Sequence, residues 1–122
     1  MDSPQKVNDY FAPKLSGKPN EEVWIMLLNT RLQVIGDKQI SKGGITESSV
    51  DIRLIMREAV TALATSMILV HNHPSGNVSP SREDDRLTQK LAEAGRLMNI
   101  TLQDHVIVGS GKYFSYRDEG KL

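Results

Sequence analysis

His71-Asn72-His73-Pro74-Ser75-Gly76-Asn77-Val78-Ser79-Pro80-Ser81-Arg82-Glu83-Asp84 is the stretch on which the reading of this chain turns. Ser66 to Val70, just before it, is a short apolar run that reads as a buried strand. Side chains two apart on a strand point the same way, so His71 and His73 can converge on one point. Pro74 to Pro80 is rich in proline, serine and glycine and reads as a loop. Ser81 to about Met98 then reads as a helix, with Leu87, Leu91, Ala94, Leu97 and Met98 on its inner face. Asp84, in the first turn of that helix, is placed to swing its carboxylate back toward the histidines. Two imidazoles and a carboxylate leave a fourth position for water, the open pattern of a catalytic zinc site. A lone His-x-His pair is more often structural, and Ser81-Arg82-Glu83-Asp84 also scans as a capping box. The joint spacing across the proline-glycine loop favours the metal reading.

Outward from this centre, Ser49 to Ala64 keeps a helical period through Ile52, Ile55, Met56, Ala59 and Leu63, with Ser48 or Ser49 as cap. Gly43-Gly44 marks a loop before it. Glu21 to Asn29 and Leu32 to Ile40 read as two strands paired through Asn29-Thr30-Arg31. Residues 1–20 form a separate helical segment or linker, with Val7, Tyr10, Phe11 and Leu15 at helical spacing and Ser16-Gly17-Lys18-Pro19-Asn20 ending it. Residues 21–122 form the main domain. On its C-terminal side, Ile100 to Leu102, His105 to Val108 and Tyr113 to Tyr116 read as strands, the last two joined by Gly109-Ser110-Gly111. The class is α/β, a mixed sheet with helices packed on its faces.

Composition narrows the chemistry. The chain has 122 residues, enough for one domain with a modest core. It has no cysteine, so a thiolate nucleophile and any zinc site built on sulfur are excluded. A zinc deaminase in its usual form is excluded with them, because its ligands include cysteines. Fifteen basic and fifteen acidic residues cancel, which argues against a dedicated nucleic-acid binder. The sequence contains no apolar run long enough to span a membrane, and its first residues do not resemble a secretory signal. A cytoplasmic location is the expectation.

The extended motif resembles the JAMM motif of the JAB/MPN metallohydrolases, H-x-H-x7-S-x2-D, and in its H-N-H-P-S-G-x3-P-S-x2-D form the bacterial RadC branch. The resemblance continues through Asp104-His105-Val106-Ile107-Val108-Gly109 and the terminal Tyr-Phe-Ser-Tyr segment, covering roughly residues 20–122. It implies a three-layer architecture like that of the cytidine deaminases, with His71, His73 and Asp84 as zinc ligands. It implies that Ser81 stabilises the oxyanion of a tetrahedral intermediate. It also implies an upstream glutamate that takes a proton from the attacking water. Glu21 and Glu22 both stand near that place; strand alternation puts them on opposite faces, and the register of the family favours Glu21. The activity implied is hydrolysis of a peptide or isopeptide bond.

RadC proteins also carry a DNA-repair label, so a repair- or replication-associated partner, or a non-catalytic interaction role, is the competing expectation. Their longer members have a helix-hairpin-helix segment that these residues do not show, so the chain is expected to be a domain of a longer protein or a short relative. The HNH nucleases are not matched, since in that class the three letters are spread over a longer unit. Among the remaining polar residues, His105 reads as a structural histidine or as a group beside the metal. Asn72 reads as a bond to nearby backbone, and Ser75 and Gly76 as loop-shaping residues. Trp24 reads as core. Arg53, near a Pro-Arg-Glu of the family in which Ile52 here replaces the proline, reads as part of a solvated face.

Overall fold

The computed structural model describes residues 1–43 and 50–122. The order is α1 (Pro4–Leu15), β1 (Glu22–Leu28), β2 (Val34–Lys42), α2 (Ile52–Thr61), β3 (Ser66–Asn72), α3 (Arg82–Leu97), β4 (Thr101–Gly109) and β5 (Lys112–Ser115). The five strands form one mixed sheet in the order β2-β1-β3-β4-β5. Only β3 and β4 run parallel, joined through α3 as a βαβ unit, and the other neighbours are antiparallel.

Alternation along the strands sends apolar side chains to both faces, so the sheet needs cover on both. Val23, Ile25, Leu27, Met67, Leu69 and Leu102 pack with Ile55 and Ala59 of α2 and with Leu87 and Leu91 of α3. Met26, Leu28, Ile68, Val70, Val106 and Val108 pack with Val7, Phe11 and Leu15 of α1. The result is the expected three-layer α/β arrangement, with α1, among the described residues, as the one helix on its face of the sheet.

The departures from the sequence reading have local causes. Asn29 Oδ1 accepts from the backbone N–H of Arg31 and Gln33, and Leu32 sits at a φ of 59°, so the turn extends and β2 starts at Val34, not Leu32. Asp51, whose Oδ1 accepts from Arg53 N–H, caps α2. Ser48 and Ser49, expected as caps, lie outside the described residues, as does Gly44. Leu63 was expected to continue the apolar period of a helix reaching Ala64, but α2 ends at Thr61 and Leu63 is 82% exposed. Leu97 and Met98, expected on the inner face of α3, are also exposed. Near them, Gly95 lets the chain turn back: a Cβ there would lie 2.2 Å from the carbonyl oxygen of Ile100.

The two short strands expected at Ile100–Leu102 and His105–Val108 are one strand, β4. The polar Gln103-Asp104 pair that interrupts the apolar pattern is a bulge within it: Met67 pairs with Leu102, while the next residue, Ile68, pairs with Asp104. Gln103 is the extra residue. It reverses the alternation, so Leu102 and His105, three apart, both face α3.

Leu63 carries a φ of 54°, left-handed backbone that costs an ordinary residue about 1–2 kcal/mol. Its side chain is largely in solvent, so replacing it removes little packing. Leu63→Gly should therefore raise stability by roughly 0.5–1 kcal/mol, after the extra chain entropy of glycine, in urea unfolding.

Candidate metal centre

The site lies beyond the carboxyl end of β3, where the chain leaves the sheet for α3. His71 is the last inward-facing residue of β3 and is fully buried. His73 follows the strand, held by its N–H to the carbonyl of Val108. The loop then doubles back. Gly76 N–H donates to the carbonyl of His73 at 2.9 Å, and Gly76 adopts a φ of 85°, open to glycine at little cost. A Cβ at Gly76 would also meet Ser110 Oγ at 2.5 Å. This turn brings the carbonyl of Asn77 to 2.7 Å from His73 Nδ1.

Asp84 enters from α3. Ser81 is the N-cap: its Oγ accepts from Asp84 N–H at 3.0 Å, and its own N–H donates to Asp84 Oδ2 at 2.8 Å. The capping-box reading and the metal-ligand reading are thus compatible, since the bond from Ser81 aims the carboxylate it satisfies. Asp84 Oδ1 lies 3.4 Å from His71 Nε2 and Oδ2 lies 3.3 Å from His73 Nε2, while the two Nε2 atoms are 2.9 Å apart. Ligands about 2.0–2.1 Å from one ion in a tetrahedron stand roughly 3.3 Å from one another. One donor atom from each of the three residues falls within 4.8 Å of the others, so His71, His73 and Asp84 could together hold a metal ion.

Burial alone would push the Asp84 carboxyl up. The imidazoles of His71 and His73 beside it, with the N–H of Ser81, outweigh that and hold it well below the usual carboxylate range. His73 is raised, first by its hydrogen bond with Asp84, against burial, with the carbonyl of Asn77 and the charges of Asp84 and Glu21 adding to it. His105 is driven well below the ordinary histidine value by burial, then by its neighbour His71.

Glu21 and Glu22 sit on opposite sides of the sheet, as alternation requires. Glu22 accepts from Trp24 Nε1 at 3.2 Å and pairs with Lys18 at 3.8 Å, on the α1 side. Val23 packs on the α2–α3 side opposite His71, so Glu21, two residues before it, shares the histidines' side. Asn72 is turned away from the ligands, as expected. Its Oδ1 accepts from Glu22 N–H at 2.7 Å and its Nδ2 donates to the carbonyl of Asn20 at 3.2 Å, so it grips the backbone on both sides of Glu21. A cleft of about 390 Å³ adjoins His73 between the end of α1 and the turn after β4, with Ser16, Lys18, Asn72, Gly109 and Lys112 among its walls.

His105, left open between a structural role and a role beside the metal, is fully buried with Nε2 2.8 Å from His71 Nδ1. Its ring stacks on Tyr116 at 4.6 Å between centroids. Tyr116 in turn donates to Asp85 Oδ1 at 2.7 Å, just after the ligand on α3. Thr88, which the sequence reading missed, lies 2.6 Å from His105 Nδ1. Its signal was a polar residue one helical turn after Asp84 on the face that carries Leu87 and Leu91. Arg53 and Trp24 play no part in the site: Arg53 is a solvated partner of Asp51, and Trp24 is half-buried against Phe11.

A family model described as the RadC-like JAB domain matches residues 1–121. The chain belongs to this family. Similar proteins include a UPF0758 protein of Porphyromonas gingivalis, 48% identical over 92% of this chain and 50% of its own length. Another, from Streptococcus gordonii, is 44% identical over 98% of this chain and 53% of its own length. A third, from the archaeon Methanosarcina mazei, is 39% identical over 98% and 52%. The RadC-like JAB domain thus spans about half the length of the curated relatives it matches. The match includes α1, ahead of the region whose motifs carry the resemblance. Among the described residues, no helix is long and apolar enough to cross a membrane.

Below its raised pKa, His73 carries a proton that a metal ion held there would have to displace. Divalent-metal affinity should therefore fall about tenfold for each pH unit below the native pKa of His73 and level off above it, read by chelator competition between pH 5 and 8. The sign for folding is opposite. A raised histidine stabilises the metal-free fold fully below its unfolded value of about 6.5 and loses that contribution as pH rises through the native value. Thermal melts of metal-free protein should show this decline, and a flat affinity profile would exclude proton displacement at His73.

Proposed function

We propose that this domain is a zinc-dependent hydrolase that cleaves a peptide or isopeptide bond. The observation that carries the reading is the convergence of His71, His73 and Asp84, each aimed by its own hydrogen bonds, at the open end of a sheet. The donor set fits the ion: two imidazoles and one carboxylate, without sulfur, suit zinc. When bound, zinc would polarise the amide carbonyl and lower the pKa of a water.

The chain's own residues supply the rest. Asp84 brings the one negative charge among the proposed ligands. Glu21, on the histidines' side of the sheet, takes the proton from the attacking water and passes it to the departing amine. The backbone grip of Asn72 sets where Glu21 begins its reach. Ser81 uses its oxygen to accept from Asp84 N–H, and among the described residues its O–H has no acceptor. That hydrogen is available to the oxyanion of the tetrahedral intermediate.

Glu21→Gln should keep metal content unchanged by elemental analysis while cutting hydrolysis of peptide and isopeptide-linked substrates by about 10²–10⁴-fold. Retained hydrolysis would remove Glu21 from this role. Glu22→Gln is the matched control and should leave the rate near wild type. Ser81→Ala should lower kcat by about 10²–10³-fold and cost roughly 1 kcal/mol of stability through the lost cap. If no substrate in a broad panel is cut while the domain binds DNA or a protein partner, the interaction role replaces the catalytic one.

A further inference from the structure

The partner that buried His105 meets is one of the proposed ligands. We propose that Thr88 and His105 form a positioning relay that locks His71 in the tautomer whose Nε2 is free to bind a metal ion. The inference rests on the metal-site reading above and assigns residues outside its ligand set.

The argument is a count of hydrogens. Thr88 Oγ1 lies 2.7 Å from the carbonyl oxygen of Asp84 and 2.6 Å from His105 Nδ1. A carbonyl oxygen can only accept, so the single hydroxyl hydrogen of Thr88 goes to Asp84. Thr88 can then only accept from His105, and His105 Nδ1 carries a hydrogen. His105 is fully buried, and the groups packed on its ring are His71, Thr88 and Tyr116, with no carboxylate in hydrogen-bond contact. A neutral ring is the form such an environment accepts. Its Nε2 therefore has a lone pair and accepts, at 2.8 Å, from His71 Nδ1. With its hydrogen on Nδ1, His71 presents a bare Nε2 toward His73 and Asp84.

The relay begins and ends at the proposed ligands: it starts on the backbone carbonyl of Asp84 and finishes on the ring of His71. It therefore couples the position of α3 to the orientation of a β3 side chain. Because the acceptor is a neutral imidazole, it sets the tautomer without adding negative charge to a site whose ligating charge is Asp84 alone.

Two measurements test this. Long-range nitrogen–proton NMR on the metal-free wild-type protein should show hydrogen on Nδ1 of both His71 and His105; hydrogen on Nε2 of His71 would overturn the relay. This readout does not require that any ion binds, so it separates failure of the relay from failure of the metal reading, which would show as no uptake of zinc or cobalt by the wild type. Thr88→Val keeps the shape but removes the acceptor, and should weaken zinc affinity about 10–100-fold in chelator competition, with Thr88→Ser restoring it. His105→Leu should weaken zinc similarly, and His105→Gln, which can accept from His71 and donate to Thr88, should recover much of the loss. Wild-type zinc affinity in Thr88→Val, measured on protein with native circular dichroism, would overturn the proposal.

Discussion

A single buried carboxylate organises this molecule's chemistry. Asp84 lies in the first turn of α3, accepts the N–H of Ser81, and faces the Nε2 atoms of His71 and His73 at 3.3–3.4 Å. Burying such a charge is costly unless it is paired and hydrogen-bonded, and here the N–H of Ser81 supplies the hydrogen bond and the raised His73 the pairing. The arrangement requires α3 to begin beside the end of β3. The seven-residue span from Pro74 to Pro80 provides this by turning back on itself at Gly76. A helix N-terminus adds the favourable end of its dipole to the same carboxylate.

Each imidazole is aimed by a different part of the fold. His73 is fixed from the loop side, by the carbonyl of Asn77. His71 is fixed from the core, by His105. That second contact exists because of an irregularity in β4. Were β4 regular through Gln103, with no bulge there, His105 would fall on the α1 face and the inner side of His71 would meet a different residue. Asp104 anchors the bulge, accepting from His105 N–H, Ser115 Oγ and Arg117 N–H. Burial pushes its carboxyl up, and those three bonds offset part of the rise. Bulges near functional sites re-aim side chains, and this one has that effect.

Much of the site was legible from local spacing. His71 and His73 share a side through the two-residue period of a strand, and Ser81 and Asp84 meet through the geometry of a helix cap. The opposite faces of Glu21 and Glu22 followed from the same alternation. Less legible were the features that depend on partners far along the chain. Thr88 and Tyr116 meet His105 across 17 and 11 positions, and His105 meets His71 across 34. The end of α2 was overrun because Leu63 continues an apolar period after the backbone has left the helix, while at the end of α3 Leu97 and Met98 carry that period onto exposed positions.

The sequence by itself determined the donor types, their offsets within β3 and the start of α3, and the exclusion of sulfur chemistry. It could do so because those properties depend on periods of two to four residues and on composition. Only the tertiary structure decided that the three proposed ligands lie within reach of one ion, that His105 and Thr88 stand behind His71, and that Glu21 shares the histidines' side. Those outcomes depend on strand order, on a one-residue slip in β4 and on where a helix packs. Each is set by burial shared among distant segments, and no short window of residues encodes it.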